Sequence, residues 1–160
     1  GAERQLVMEI RKSLTVVILA TLILDQLSKW FALEHLSNGR VVELFWTLQM
    51  RLVRNAGISF GKASNLGQLV SVVVFLVIVV LLKVAVNAEN RRIAILYGLI
   101  IGGALGNFTD RIFRSSDGFL KGEVVDFIDF QWWPVFNIAD SAVVIGCLLF
   151  AVNGLRFERV

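Results

Sequence analysis

The sequence predicts a membrane-embedded α-helical fold, four transmembrane helices carrying a small extracytoplasmic β-sheet platform. Three observations lead there. Hydrophobic residues make up 56% of the 160 residues and charged residues only 18%, with a mean hydropathy of +0.72. Soluble domains run near 45–50% apolar and roughly 25% charged. Second, four long runs are nearly free of charge, and crossing hydrocarbon takes a helix of about 20 mostly apolar residues. Third, one segment between them alternates apolar and polar residues with the period of a half-buried strand. At this length the chain reads as one domain, 1–160.

The first run covers about 14–31, with Asp25 and Lys29 near its far end. It has a basic start at Arg11 and Lys12, but no small-x-small cleavage site precedes Asp25, so a retained span is expected rather than a signal peptide. The second run, about 66–82, is nearly pure Val, Leu and Ile. The third, about 93–109, lies between Arg92 and Asp110, and the fourth, about 137–155, between Asn137 and Arg156. Orientation rests on Lys and Arg density. Arg4, Arg11, Lys12, Lys83, Arg91, Arg92, Arg156 and Arg159 crowd short tails and one tight loop, whereas the other basic residues are diluted over two long segments. Both termini are therefore expected in the cytoplasm, with segments 32–65 and 110–136 facing outward.

In the first outer segment, Leu48, Met50 and Leu52 alternate with Thr47, Gln49 and Arg51. An earlier turn, Ser37-Asn38-Gly39, could start a hairpin with Val41-Val42-Glu43-Leu44. Two readings stay open: a small sheet lying on the membrane surface, or a platform that holds an extended peptide by strand addition. On the third run, Gly98, Gly102 and Gly106 form a smooth stripe, and Ala142 and Gly146 give a shorter small pair on the fourth. Small residues at this spacing let helices approach closely in lipid, so the stripe is expected to seat the third span against the fourth.

Composition excludes several chemistries. The single Cys147 allows no intramolecular disulfide or cysteine metal cluster, and the single His35 no triad needing a second imidazole. There is no HExxH, CxxC or glycine-rich phosphate loop, so neither a metal nor an organic cofactor is expected. A net charge of +3, spread along the chain, does not make the basic face that nucleic acid requires. Cys147 falls within an apolar span, where a small buried role is expected. Trp132 and Trp133 suit an interfacial aromatic belt.

Ionisable groups at membrane depth are costly, which makes them functional suspects. Five aspartates fall near the outer boundary: Asp25, Asp110, Asp126, Asp129 and Asp140. Asp25 and Lys29, four apart on a helix, are expected to form an ion pair. Asp110 adjoins Arg111, whose guanidinium is expected to favour the ionised carboxylate. Asp126 lies in the apolar run Val124-Val125-Asp126-Phe127-Ile128 with no adjacent cation, so desolvation favours its protonated form. Asp140 opens the fourth span, where helix amides favour a carboxylate and where Asn137 with Asp140 could also serve only as a cap. Two carboxylates whose surroundings pull their proton affinities apart can share a proton, one activating water and the other protonating a leaving amide.

Five motifs then occur in order: Asp25-Gln26-Leu27-Ser28-Lys29, Asn55-Ala56-Gly57, Gly102-Gly103-Ala104-Leu105-Gly106-Asn107-Phe108-Thr109-Asp110-Arg111, Gly122-Glu123-Val124-Val125-Asp126-Phe127 and Phe136-Asn137-Ile138-Ala139-Asp140-Ser141. In this the sequence closely resembles the bacterial lipoprotein signal peptidases, or signal peptidase II. The resemblance implies a four-span aspartic endopeptidase of the bacterial inner membrane, with lipid-modified prolipoproteins as substrates, cut just before the lipidated cysteine. It implies Asp126 and Asp140 as the catalytic dyad, Asn55, Arg111 and Asn137 lining the site, and Asp25, Lys29, Asn107 and Asp110 supporting it. It also favours the substrate platform for the outer strands, in a protein expected to be monomeric and in contact with membrane lipid. One departure is visible: Ile58-Ser59-Phe60 follows Asn55-Ala56-Gly57 where many members carry two small residues and an aromatic, which bears on local pocket shape. The non-enzymatic alternative is a small proton-coupled transporter or channel subunit, in which Asp25, Asp110 and Asp140 would relay protons.

Overall fold

A computed structural model describes residues 1–57, 64–115 and 118–157. Four helices and three strands follow in the order α1 (Ala2–Leu36), β1 (Val42–Phe45), β2 (Leu48–Asn55), α2 (Ser64–Ala85), α3 (Arg91–Phe113), β3 (Val124–Asp129) and α4 (Ile138–Phe157). No Gly or Pro interrupts Ala2–Leu36, so α1 extends well beyond both ends of its apolar run. By length and composition, α2 over Leu66–Ala85 and α3 are long and apolar enough to cross a membrane, and α4 carries a shorter apolar stretch, Ile138–Asn153. The helices leave large side chains such as Leu27, Leu69, Val80 and Leu148 exposed, more contiguous apolar surface than a water-soluble monomer presents.

The strands make one antiparallel sheet in the order β1-β2-β3. Its first hairpin closes at Trp46, which takes a left-handed φ of 52°. The Ser37-Asn38-Gly39 turn leads the chain out of α1, with Gly39 at φ 74°, and into β1, the first strand of that hairpin, which falls on Val42–Phe45 against the expected Val41–Leu44. In the second pairing Val53 faces Asp126 and Asn55 faces Val124. β3 is buried along nearly its whole length, and Phe127 packs with Ala32 and Leu36 at the end of α1. This contact seats the sheet on one end of the helices.

The glycine stripe faces a different neighbour from the one its spacing suggested. A methyl group on Gly98 would strike Val17, and one on Gly102 would come within 2.7 Å of the Thr21 Cβ, both on α1. α4 instead meets Gly103, one residue off the stripe, through Ala139 and Val143, while its own Gly146 receives Ile100 of α3. Only Gly106 touches both, lying against Asp25 and Ala139. A four-residue repeat defines a face of a helix and does not name what packs on it. Cys147 also departs from expectation: it is exposed on the outer surface of α4 rather than buried.

Candidate active site

The ends of α1, α3 and α4 meet under β3 and enclose a buried charge cluster. Lys29, fully buried, spends its three donor protons on three acceptors: Asp25 Oδ2 at 2.8 Å, Asp110 Oδ2 at 2.9 Å and Asn107 Oδ1 at 2.9 Å. Each carboxylate also holds backbone. Asp25 Oδ1 accepts the Ala139 N–H at 2.9 Å, at the start of α4, and Asp110 Oδ2 accepts the Val125 N–H at 3.1 Å, beside Asp126. The cluster therefore ties α1, α3, α4 and β3 together. Asp110 makes its ion pairs with Lys29 and with Arg114, whose Nε lies 2.8 Å from Asp110 Oδ1, while its neighbour Arg111 acts on it through charge without an ion-pair contact. Successive helical residues point about 100° apart, whereas Arg114 is four residues on and shares the face.

Above this cluster, three asparagines arrange two aspartates. Asn107, its Oδ1 held by Lys29, donates from Nδ2 to Asp140 Oδ1 at 2.7 Å. Asn137 caps α4 reciprocally with Asp140: its Oδ1 accepts the Asp140 N–H at 2.8 Å, and its own N–H donates to Asp140 Oδ2 at 3.2 Å. The same Asn137 donates from Nδ2 to Asp126 Oδ1 at 2.7 Å. Capping and bridging are thus one arrangement, with a single buried asparagine touching both carboxylates. Asn55 donates to the other oxygen of Asp126 at 3.1 Å, and its own Oδ1 accepts the Gly57 N–H at 2.8 Å, which fixes the amide. Gly57 has a φ of 93°, and the Arg111 guanidinium lies so close that a Cβ there would sit 2.8 Å from Nη2. Position 57 therefore suits glycine on both conformational and steric grounds.

Burial pushes the Asp126 carboxyl up to about 6, and the nearby Asp140 charge adds to the effect. The bonds from Asn55 and Asn137 and the charge of Lys29 oppose it. Asp129 stands apart from the cluster. It is buried but accepts bonds from Gln49, Arg51 and the Gln131 N–H, and the Gln49 and Arg51 bonds hold its carboxyl below the usual range. Among the described residues no group of three or more His, Cys, Asp or Glu side chains is arranged to hold a metal ion.

All nine site residues singled out in the sequence fall in this one region: Asp126 and Asp140, with Asn55, Arg111 and Asn137, and below them Asp25, Lys29, Asn107 and Asp110. Arg114 and Gln26 were missed. The i,i+4 spacing of Asp110 and Arg114 is a usable signal, while Gln26, donating to Asp110 Oδ1 at 3.1 Å from another helix, is marked only by its place in the Asp25–Lys29 motif. Ile58 lies outside the described residues.

A family model described as signal peptidase (SPase) II matches residues 17–156. The chain belongs to this family. The lipoprotein signal peptidase of Rhodococcus jostii (strain RHA1) is 40% identical over 137 residues, covering 85% of this chain and 67% of that protein. The lipoprotein signal peptidase of Streptomyces coelicolor (strain ATCC BAA-471 / A3(2) / M145) is 39% identical over 145 residues, 89% of this chain and 70% of its own length. Among solved structures, a bacterial membrane enzyme determined by the in meso method at 1.9 Å resolution superposes with a TM-score of 0.77 at 27% identity, over 90% of this chain and 93% of the other. A second bacterial membrane enzyme, at 2.3 Å resolution, gives a TM-score of 0.71 at 25% identity, over 92% and 90%. This family member is therefore a protease and a membrane protein.

Proposed function

We propose that the protein is an intramembrane aspartic endopeptidase that removes signal peptides from lipid-modified bacterial prolipoproteins, cutting before the diacylglyceryl-cysteine. The observation that carries this reading is the joining of Asp126 and Asp140 through Asn137, with one carboxyl pushed up to about 6. Two carboxyls joined in this way share one proton up to about pH 6, and the proton belongs to the pair. The ionised member takes a proton from water as its oxygen attacks the scissile carbonyl, and the protonated member gives its proton to the departing amide nitrogen. The carboxylates supply both the acid and the base, so the reaction needs neither a metal nor an organic cofactor. Asn55 and Asn137 hold the two carboxyls in register, and Arg111 offers guanidinium donors to the substrate backbone. Asp25, Lys29, Asn107 and Asp110 support the pair from beneath.

In this reading all four helices span the bacterial inner membrane with both termini in the cytoplasm, and the site lies near the outer leaflet, where water and a lipid anchor both reach. The sheet and the exposed Trp46, Trp132 and Trp133 then lie at the outer interface, with the sheet as substrate platform and the enzyme working as a monomer. A proton relay across the bilayer would need acids distributed through its depth, whereas Asp25, Asp110 and Asp140 gather around one end. The test is cleavage of a lipidated precursor peptide by purified protein and by Asp126→Asn and Asp140→Asn. Each variant is expected to lose cleavage by at least 10²-fold, the lower end for a lost general acid or base, while melting as a folded protein. More than a tenth of parental turnover in either variant, or conductance without cleavage in the parent, would count against the proposal.

A further inference from the structure

At the end of the bundle opposite the aspartates, a groove of about 610 Å³ opens between the first turns of α3 and the last turns of α4. Apolar Ile95 and Leu96 of α3 and Leu149 and Val152 of α4 line it, together with the charged and polar side chains of Arg91, Arg92 and Asn153. The two arginines stand where helix electrostatics disfavours them. They occupy the first turn of α3, which contains no acidic residue, and cations there oppose the helix dipole. Among the described residues neither guanidinium is ion-paired with a carboxylate. Apolar side chains beside two donor-rich cations suit a phosphate carried on a hydrocarbon chain.

We infer that this groove binds an anionic phospholipid, with Arg91, Arg92 and the Asn153 amide on its phosphate and Ile95, Leu149 and Val152 along an acyl chain. The inference rests on the reading that α3 and α4 cross a bilayer, because only then does the groove face acyl chains with its arginines at headgroup level. Guanidinium forks suit phosphate oxygens, and anionic lipid attracts basic residues at a membrane surface. Bound there, the lipid would clamp the α3–α4 pair at the end farthest from the catalytic carboxylates.

The test uses the 160-residue chain in detergent micelles doped with dioleoylphosphatidylglycerol or dioleoylphosphatidylcholine. Retained lipid is read by native mass spectrometry and stability by the melting temperature. Phosphatidylglycerol is expected to be retained at one molecule per chain and to raise the melting temperature, and phosphatidylcholine to do neither. The Arg91→Gln/Arg92→Gln variant should bind phosphatidylglycerol at least tenfold more weakly, and so should Val152→Trp, which fills the groove and keeps both arginines. Equal retention of the two lipids, undiminished binding in the arginine variant, or equal protection by inorganic phosphate would each overturn the inference. Cleavage of a lipidated precursor by the same preparations separates the two readings. A parent that cleaves but takes up both lipids alike refutes the groove alone, and one that binds phosphatidylglycerol selectively without cleaving refutes the peptidase alone.

Discussion

Replacing Lys29 with methionine keeps most of the side chain's volume and removes the ammonium on which the buried cluster converges. Asp25, Asp110 and the Asn107 carbonyl each lose a partner at 2.8–2.9 Å, and all lie where water does not reach Lys29. Breaking one side of a buried ion pair costs about 3–5 kcal/mol, because a charge is left unmatched in low dielectric. Asp110 keeps Arg114, Gln26 and the Val125 N–H, whereas Asp25 keeps Gln26 and the Ala139 N–H but no cation. The unmatched charge is thus mainly that of Asp25, which puts the expected loss near the lower bound, about 3 kcal/mol. A chain of this size loses roughly 2–4 °C per kcal/mol, so the melting temperature should fall by about 6–12 °C. Scanning fluorimetry in detergent measures this directly. The double variant Asp25→Asn/Lys29→Met removes the stranded charge with its partner and should recover at least half the loss, a coupling that a mutant cycle quantifies. Melting of Lys29→Met within 2 °C of the parent, or no recovery in the double variant, would refute the reasoning.

The remaining expectations concern the dyad and the helix contacts. With its carboxyl pushed up to about 6, Asp126 binds a proton in the folded state that an ordinary carboxyl, near 3.8, has already released. Stability tied to that proton is present at low pH and declines as pH rises from about 4 to about 6, so the parent should lose melting temperature across this window relative to Asp126→Asn. On the same ground, kcat/KM for a lipidated peptide should fall on its alkaline limb, and a limb unmoved between pH 5 and 8 would sink the assignment of the proton to this pair. A methyl group on Gly146 would lie 2.6 Å from Ile100 Cγ1, so Gly146→Ala should cost about 1–3 kcal/mol by overpacking. Ile100→Ala in the same chain should make the combined loss smaller than the sum, and strict additivity would mean that these residues do not meet.

Local spacing carried a good deal of this protein. The four helices, of which α2 and α3 are long and apolar enough to cross a membrane, the Asp25–Lys29 pair, the Asn137-x-x-Asp140 cap and the strand-like Val124–Ile128 follow from the helical or strand period, and such periods are written in the sequence. The desolvated setting of Asp126 was legible for a similar reason, since apolar neighbours on both sides leave a strand carboxylate little water. What the tertiary structure decided are contacts between residues far apart in the chain. Asp110 takes Lys29, 81 positions away, as an ion-pair partner, beyond the charge of adjacent Arg111 that the sequence suggested. The glycine stripe packs on α1, and α4 takes the face beside it. Asn137 does more than cap, because β3 folds over α4 and brings Asp126 within 2.7 Å of its amide. Periodicity assigns a residue to a face at no cost in chain entropy, but the partner of that face is chosen by the packing of whole elements. The charges in this cluster can stay buried only where that packing brings every donor and acceptor together at once.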